Sequence, residues 1–218
     1  MLNQRQIDRM LTKLERFEHT LERCYFEKVG ELDMRAYPAD GSHHASPEDS
    51  RFRPVEKGWQ WGGEGSYCWF KGEFTIPDAL AGQDLFLRPH CVGYEALLWV
   101  NGVPFGTFCN KILINDHGNH YCNLILKEAE AGERVSVALE SYAGHYVMGT
   151  APFEQQERPS YQYTYRGAEV CVKNEEIIGF ALDLHTVLQL ARALPEPSFR
   201  RGALIDTLTH VHETVYYD

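Results

Sequence analysis

The sequence predicts a mainly β protein, an antiparallel β-sandwich preceded by one amphipathic helix and followed by a helix pair. Two observations predict it. Apolar residues recur at helical spacing up to residue 25, at a period of two from residue 66 to 172, and at helical spacing again from residue 175. Turn signals of Gly, Pro, Asn and Asp also punctuate the middle stretch, with no helix-length pattern between them, which favours antiparallel pairing.

The elements follow in order. Ile7, Met10, Leu11, Leu14, Phe17, Leu21 and Tyr25 fall at steps of three and four, one face of an amphipathic helix within residues 1–30. Residues 31–65 are polar and rich in Pro, Gly, Ser and His, and read as an extended connection. The sandwich is expected over 66–174. Cys68, Phe70, Phe74 and Ile76 share one face of its first strand, with Tyr67, Trp69, Lys71, Glu73 and Thr75 on the other. Short strands follow at Gln83–Pro89 and Tyr94–Val100. Asn101-Gly102 then turns the chain into Val103–Phe108, because both residues tolerate the positive φ of a type I′ turn. Tyr121–Leu126 and Arg134–Tyr142 are the next strands, the latter with Val135, Val137 and Leu139 facing inward; Tyr161–Val172 supplies the last one or two. Over 175–218, Ile178, Leu182, Val187, Leu188, Ala191 and Leu194 mark a helix that stops at Pro195, and Ser198 caps another through Leu204, Leu208, Val211 and Val215.

Composition narrows the function classes. With 44% hydrophobic residues in 218, the chain can bury a real core. The net charge of -10, with Lys and Arg scattered, offers no basic stripe to a phosphate backbone, so no nucleic-acid partner is expected. No apolar run is long enough to cross a bilayer, so no membrane partner is expected either. The opening residues Met1–Gln6 are polar and carry no secretory pattern. Together with six cysteines in unrelated contexts, they lead us to expect a cytoplasmic protein with reduced thiols.

Candidate chemistry is sparse. The sequence holds no G-x-S-x-G elbow, no H-E-x-x-H and no glycine-rich phosphate loop. In the run Asn115–His120 the His and Asp residues could bind a metal or a sugar hydroxyl, and Asp116 and Asn119 are candidates for carbohydrate or domain-interface contact, but Asp-His-Gly-Asn is also ordinary turn chemistry. Trp59, Trp61 and Trp69 flank Gly62-Gly63-Glu64-Gly65, where indole faces either stack on sugar rings or pack inside the fold. Packing is the simpler reading. Glu140 precedes the aromatic loop containing Tyr142 and His145, which are further candidates for carbohydrate or domain-interface contact. No catalytic residue and no metal ligand is assigned.

Several motifs resemble one family. Trp61-Gly62 followed by Ser66-Tyr67-Cys68-Trp69-Phe70 and Ile76-Pro77 resembles the stretch that opens the N-terminal sandwich of cytosolic-type family 38 α-mannosidases. Glu95-Ala96-Leu97-Leu98-Trp99-Val100-Asn101-Gly102-Val103-Pro104 is similar to their E-A-x-(V/L)-W-x-N-G-x-P hairpin. Ala131-Gly132-Glu133 with Leu139-Glu140, and Ala168–Val172 with Gly179–Leu184, follow in the family's order. W-x-N-G alone also occurs in other galactose-binding-like sandwiches, including those of β-galactosidases and β-glucuronidases.

The resemblance implies a jelly-roll, galactose-binding-like sandwich that precedes a zinc-dependent catalytic domain acting on terminal α-mannosides with retention. The H-x-D-x-x-W-type motif of that catalytic domain is missing here, and the chain stops at Asp218 within a helical pattern. We therefore expect the 218 residues to be inactive alone and to need no cofactor of their own, the zinc belonging to the catalytic domain. The expected role is scaffold and cleft rim. The expected partners are that catalytic domain and, as further candidates, a second copy of the chain and carbohydrate. A free-standing carbohydrate-binding module and the equivalent sandwich of another glycosidase family are the competing readings.

Overall fold

Alternation of inward and outward residues governs the middle of this chain, and the strands it specifies pair across large sequence separations. The computed structural model describes residues 3–43, 45–109, 122–146, 160–196 and 198–215. They divide into two units, Lys28–Val172, and Met1–Glu27 with Lys173–Asp218. The strands are β1 (Phe26–Glu31), β2 (Arg35–Ala39), β3 (Arg53–Pro54), β4 (Gln60–Gly62), β5 (Tyr67–Thr75) and β6 (Leu85–Pro89). Then come β7 (Glu95–Val100), β8 (Val103–Cys109), β9 (Asn123–Leu126), β10 (Arg134–Tyr142), β11 (Gln162–Thr164) and β12 (Ala168–Lys173). A six-stranded sheet has the order β3-β2-β5-β10-β7-β8, a four-stranded sheet the order β1-β12-β6-β9, and β11 pairs with β4. The result is an open jelly-roll sandwich, mostly antiparallel.

The inner face of the large sheet reads directly from the pleat. Ala36, Phe70, Leu139 and Leu98 lie in one row across β2, β5, β10 and β7. They meet Leu85, Leu87, Ile125, Ala168 and Val170 of the small sheet in one buried cluster. Asn101 and Gly102, at φ 50° and 80°, make the tight turn between β7 and β8, with Val100 opposite Val103.

Residues 31–65, expected to be an extended connection, instead contribute β2, β3 and β4 to the sheets. The reason lies in an alternation hidden among polar neighbours: Leu32, Met34 and Ala36 are all buried. Pro38 is tolerated because β3 pairs only with Arg35 and Ala36, so the edge of β2 beside Pro38 asks for no ladder donor. The first helix also stops earlier than its periodicity suggests. It closes in a 3₁₀ turn at Glu22–Cys24, and β1 begins at Phe26, within the expected helical segment.

In the other unit, α1 (Gln4–Leu21), α2 (Glu175–Ala193) and α3 (Phe199–Thr214) share a core. Asn3 and Gln6 form a capping box at the start of α1, and Ser198 caps α3 as its sequence position suggests. Among the described residues, no helix is long and apolar enough to cross a membrane.

Candidate functional site

The outer face of the six-stranded sheet carries the most site-like geometry. Register places Tyr37, Trp69, Glu140, Leu97 and Thr107 in one row across five strands. Ala39, Tyr67, Tyr142, Glu95 and Cys109 form the next row. Between the rows runs a groove of about 370 Å³ bordered by Tyr67, Glu95, Thr107, Cys109, Glu140 and Tyr142. The Tyr67 and Tyr142 rings lie 4.9 Å apart between centroids. Burial, then the neighbouring Tyr67, Glu95 and Tyr161, raise the Tyr142 phenol above its ordinary value, so at neutral pH it remains a neutral hydroxyl.

Glu140 sits on the floor of this groove and is 8% exposed. Its carboxylate accepts a hydrogen bond from the Ser42 hydroxyl at 3.0 Å and from the His43 backbone N–H at 2.7 Å. A buried carboxylate needs such donors, and here they pin the loop after β2 across the sheet. This carboxylate is committed to structure.

The tryptophans singled out by sequence do not converge. Trp69 is fully buried on the outer face, 5.8 Å from the Trp99 ring and clustered with Phe52 and Ala138. Trp61 lies on the opposite side of the sheet, against Phe70 at 5.7 Å, and donates its indole N–H to the Cys91 carbonyl at 3.1 Å. Gly93 makes room for that seat, and Gly62 for the backbone entering β11. A Cβ on Gly62 would lie 2.0 Å from the Tyr161 carbonyl oxygen, and one on Gly93 would lie 2.8 Å from the Trp61 ring. Trp59 is half-buried and meets the edge of Phe70 at 6.3 Å. Trp61 and Trp69 are buried against their neighbours, and Trp59 packs only in part.

Two loops that were candidates on sequence grounds are joined. The Gly65 N–H donates to the Gly144 carbonyl at 2.8 Å, and the Ala143 N–H to the Ser66 carbonyl at 2.9 Å. Glu64 accepts from the Tyr146 N–H at 3.0 Å and pairs with His145 Nδ1 at 3.1 Å. His145 therefore braces a turn beside the sheet rather than entering the groove. Asp116 and Asn119 lie outside the described residues.

Tyr67, Glu95, Thr107 and Cys109 were missed by sequence reasoning. Parity could have found the first two: Tyr67 shares its strand face with Trp69, and Glu95 with Leu97. Among the described residues, no group of three or more His, Cys, Asp or Glu side chains could hold a metal ion.

Known proteins resemble parts of this chain. Residues 31–171 match the family model described as the jelly roll domain of alpha-mannosidase. Human alpha-mannosidase 2C1 is 26% identical over 154 residues, which is 68% of this chain and 14% of that protein, so the chain spans only a small part of its curated relative. Among solved structures, a Faecalibacterium prausnitzii β-glucuronidase aligns with a TM-score of 0.46 at 13% identity, covering 69% of this chain and 32% of that one. A putative β-galactosidase from Bacteroides fragilis aligns at 0.45 and 17% identity, covering 68% and 23%.

Proposed function

Because this chain belongs to the alpha-mannosidase jelly roll domain family, we propose that it is the non-catalytic sandwich of an α-mannosidase, a scaffold that borders the cleft of a separate, zinc-bearing catalytic domain. One observation carries this reading. The family match at 31–171 coincides with the unit Lys28–Val172, and that unit buries Trp61, Trp69 and Trp99 in its own clusters. Large aromatic residues buried in this way rigidify a support. A cytoplasmic location accords with six cysteines that form no disulfide. Val103 and Phe105 on the edge strand β8 are 62% and 56% exposed, which supports contact there with the catalytic domain or with a second copy.

The test is enzymatic. The 218-residue chain should release no 4-nitrophenol from 4-nitrophenyl α-mannoside, and release by the pure chain would end the proposal.

The Tyr67–Tyr142 groove favours a second reading, direct contact with carbohydrate. Two phenol rings, a threonine hydroxyl and the Glu95 carboxylate suit the C–H face and the hydroxyls of a sugar. Calorimetric binding of mannosides by the isolated chain, abolished by Tyr142→Ala, would establish a binding module. No measurable binding leaves the scaffold role.

A further inference from the structure

A second cleft, of about 390 Å³, opens elsewhere on the sandwich where the end of β6 meets β11. It is lined by Arg88, His90, Gln162, Tyr163, Thr164 and Arg166, and among the described residues no carboxylate lines it. In a chain with a net charge of -10, a cleft walled by two guanidiniums and an imidazole is a local reversal of sign.

Arg88 and His90 are held in place from behind. Glu169 of β12 lies opposite Arg88 in the ladder. Its Oε2 accepts from Arg88 Nε at 2.9 Å, pairs with Arg88 Nη2 at 2.7 Å and meets His90 Nε2 at 3.0 Å. Burial alone would raise the Glu169 carboxyl, but the bonds from His90 and Arg88 outweigh burial and bring it down to about 2. Arginine has five donors, and Glu169 engages only the Nε–Nη2 edge of Arg88, so the guanidinium keeps donors for another acceptor.

Arg166 differs. Its backbone N–H donates to the His90 carbonyl at 2.9 Å, which fixes the main chain, while its guanidinium has no ion-pair partner among the described residues. Gln162 and Thr164 add an amide and a hydroxyl. Tyr163 supplies an apolar wall, its own hydroxyl already donated to the Ala143 carbonyl at 2.7 Å.

We propose that this cleft binds a small sugar carrying an oxyanion. Arg166 and the free edge of Arg88 take the charge, Gln162 and Thr164 take hydroxyls, and Tyr163 packs on the ring. A phosphate ester and a uronate carboxylate share this chemistry, since both present planar or forked oxygens to guanidinium donors. The site is distinct from the Tyr67–Tyr142 groove and stands whether or not the scaffold reading holds.

Calorimetric titration of the 218-residue chain at low ionic strength tests it, with glucose 6-phosphate, glucuronate, inorganic phosphate and methyl α-mannoside as probes. We expect glucose 6-phosphate, glucuronate or both to bind, methyl α-mannoside not to bind, and added salt to weaken the complex. Whichever sugar anion binds more tightly identifies the source of the oxyanion. Arg166→Gln should weaken binding by about tenfold or more, the loss of one charge-assisted contact. Thr164→Val, which keeps every charge, should weaken it several-fold. Both variants should retain the unfolding midpoint of the parent chain, because Arg166 is exposed and its backbone bond survives substitution. The proposal fails if neither sugar anion binds, if Arg166→Gln binds as tightly as the parent, or if the neutral mannoside binds equally well. Inorganic phosphate binding as tightly as glucose 6-phosphate would overturn the assignment to a sugar.

Discussion

The two units of this chain are held together by different means. In the sandwich, one row of the inner face joins Ala36, Phe70, Leu139 and Leu98 from four strands, and Phe70 alone touches Trp59, Trp61 and Tyr165. In the helical unit, the core is thin: Met10, Leu11 and Leu14 of α1 meet Leu184, Leu188 and Ala191 of α2 and Ile205 and Leu208 of α3. Its rim is charged, with Glu15 against Arg192 and Glu18 against His185 at 2.7 Å. Cohesion is therefore concentrated in a few large side chains in one unit and spread over short contacts in the other.

The largest expected effect breaks the first of these. Phe70→Ala removes a fully buried ring among three aromatic neighbours and should cost about 3–5 kcal/mol. Leu188→Ala, equally buried but in the smaller helical core, should cost nearer to about 2–3 kcal/mol. The units can be read separately, because all four tryptophans (Trp59, Trp61, Trp69 and Trp99) lie within Lys28–Val172, while among the described residues α-helix is confined to the other unit. Urea unfolding followed by tryptophan fluorescence reports the sandwich, and ellipticity at helical wavelengths reports the helices. A Leu188→Ala variant that moves the fluorescence transition as far as Phe70→Ala would contradict the comparison.

The same contrast explains what was legible in the sequence. Helical spacing with caps is local information, so α2 and α3 were recognisable within a residue or two from Glu175 and Ser198. The strand β10 was equally plain, because Val135, Val137 and Leu139 alternate with small or polar residues. The strands β2 to β4 were not, since Leu32, Met34 and Ala36 are dispersed among charges and a proline, and Phe70, the ladder partner of Ala36, lies more than thirty residues on. The groove shows the limit most clearly. Tyr142 and Glu140 were singled out from one stretch of chain, but Tyr67 and Glu95 become their neighbours only through pairing to two other strands. Trp69 was read as packing or binding, and its burial decides for packing.

A second prediction sharpens the comparison through charge. Glu169 in the sandwich is 19% exposed at the side chain and shared by Arg88 and His90. Its folded-state value of about 2 lies below the ordinary 4.5, so folding favours the ionised form. The stabilisation is present in full above pH 4.5 and is lost as pH falls through about 2. Glu169→Gln should therefore cost about 1–3 kcal/mol at neutral pH, and the gap between variant and parent should close as the solution is acidified through that window. Denaturant midpoints by tryptophan fluorescence, taken along a pH series, measure it. A gap that stays constant into strong acid would show that Glu169 acts through packing and not through its charge.

The counterpart in the helical unit should be weaker. Arg192 donates to both carboxylate oxygens of Glu15, yet the two side chains are 39% and 30% exposed. Water and salt screen such a pair, so its coupling should fall below about 1 kcal/mol. A double-mutant cycle with Glu15→Gln and Arg192→Gln, read by helical ellipticity at low and high salt, isolates that coupling from the packing of the arginine stem. A coupling near 2 kcal/mol that survives added salt would place this pair on a level with Glu169. The helical unit would then owe its cohesion to its rim rather than to Leu14, Leu188 and Leu208, and the contrast drawn between a concentrated and a dispersed core would have to be redrawn around charge.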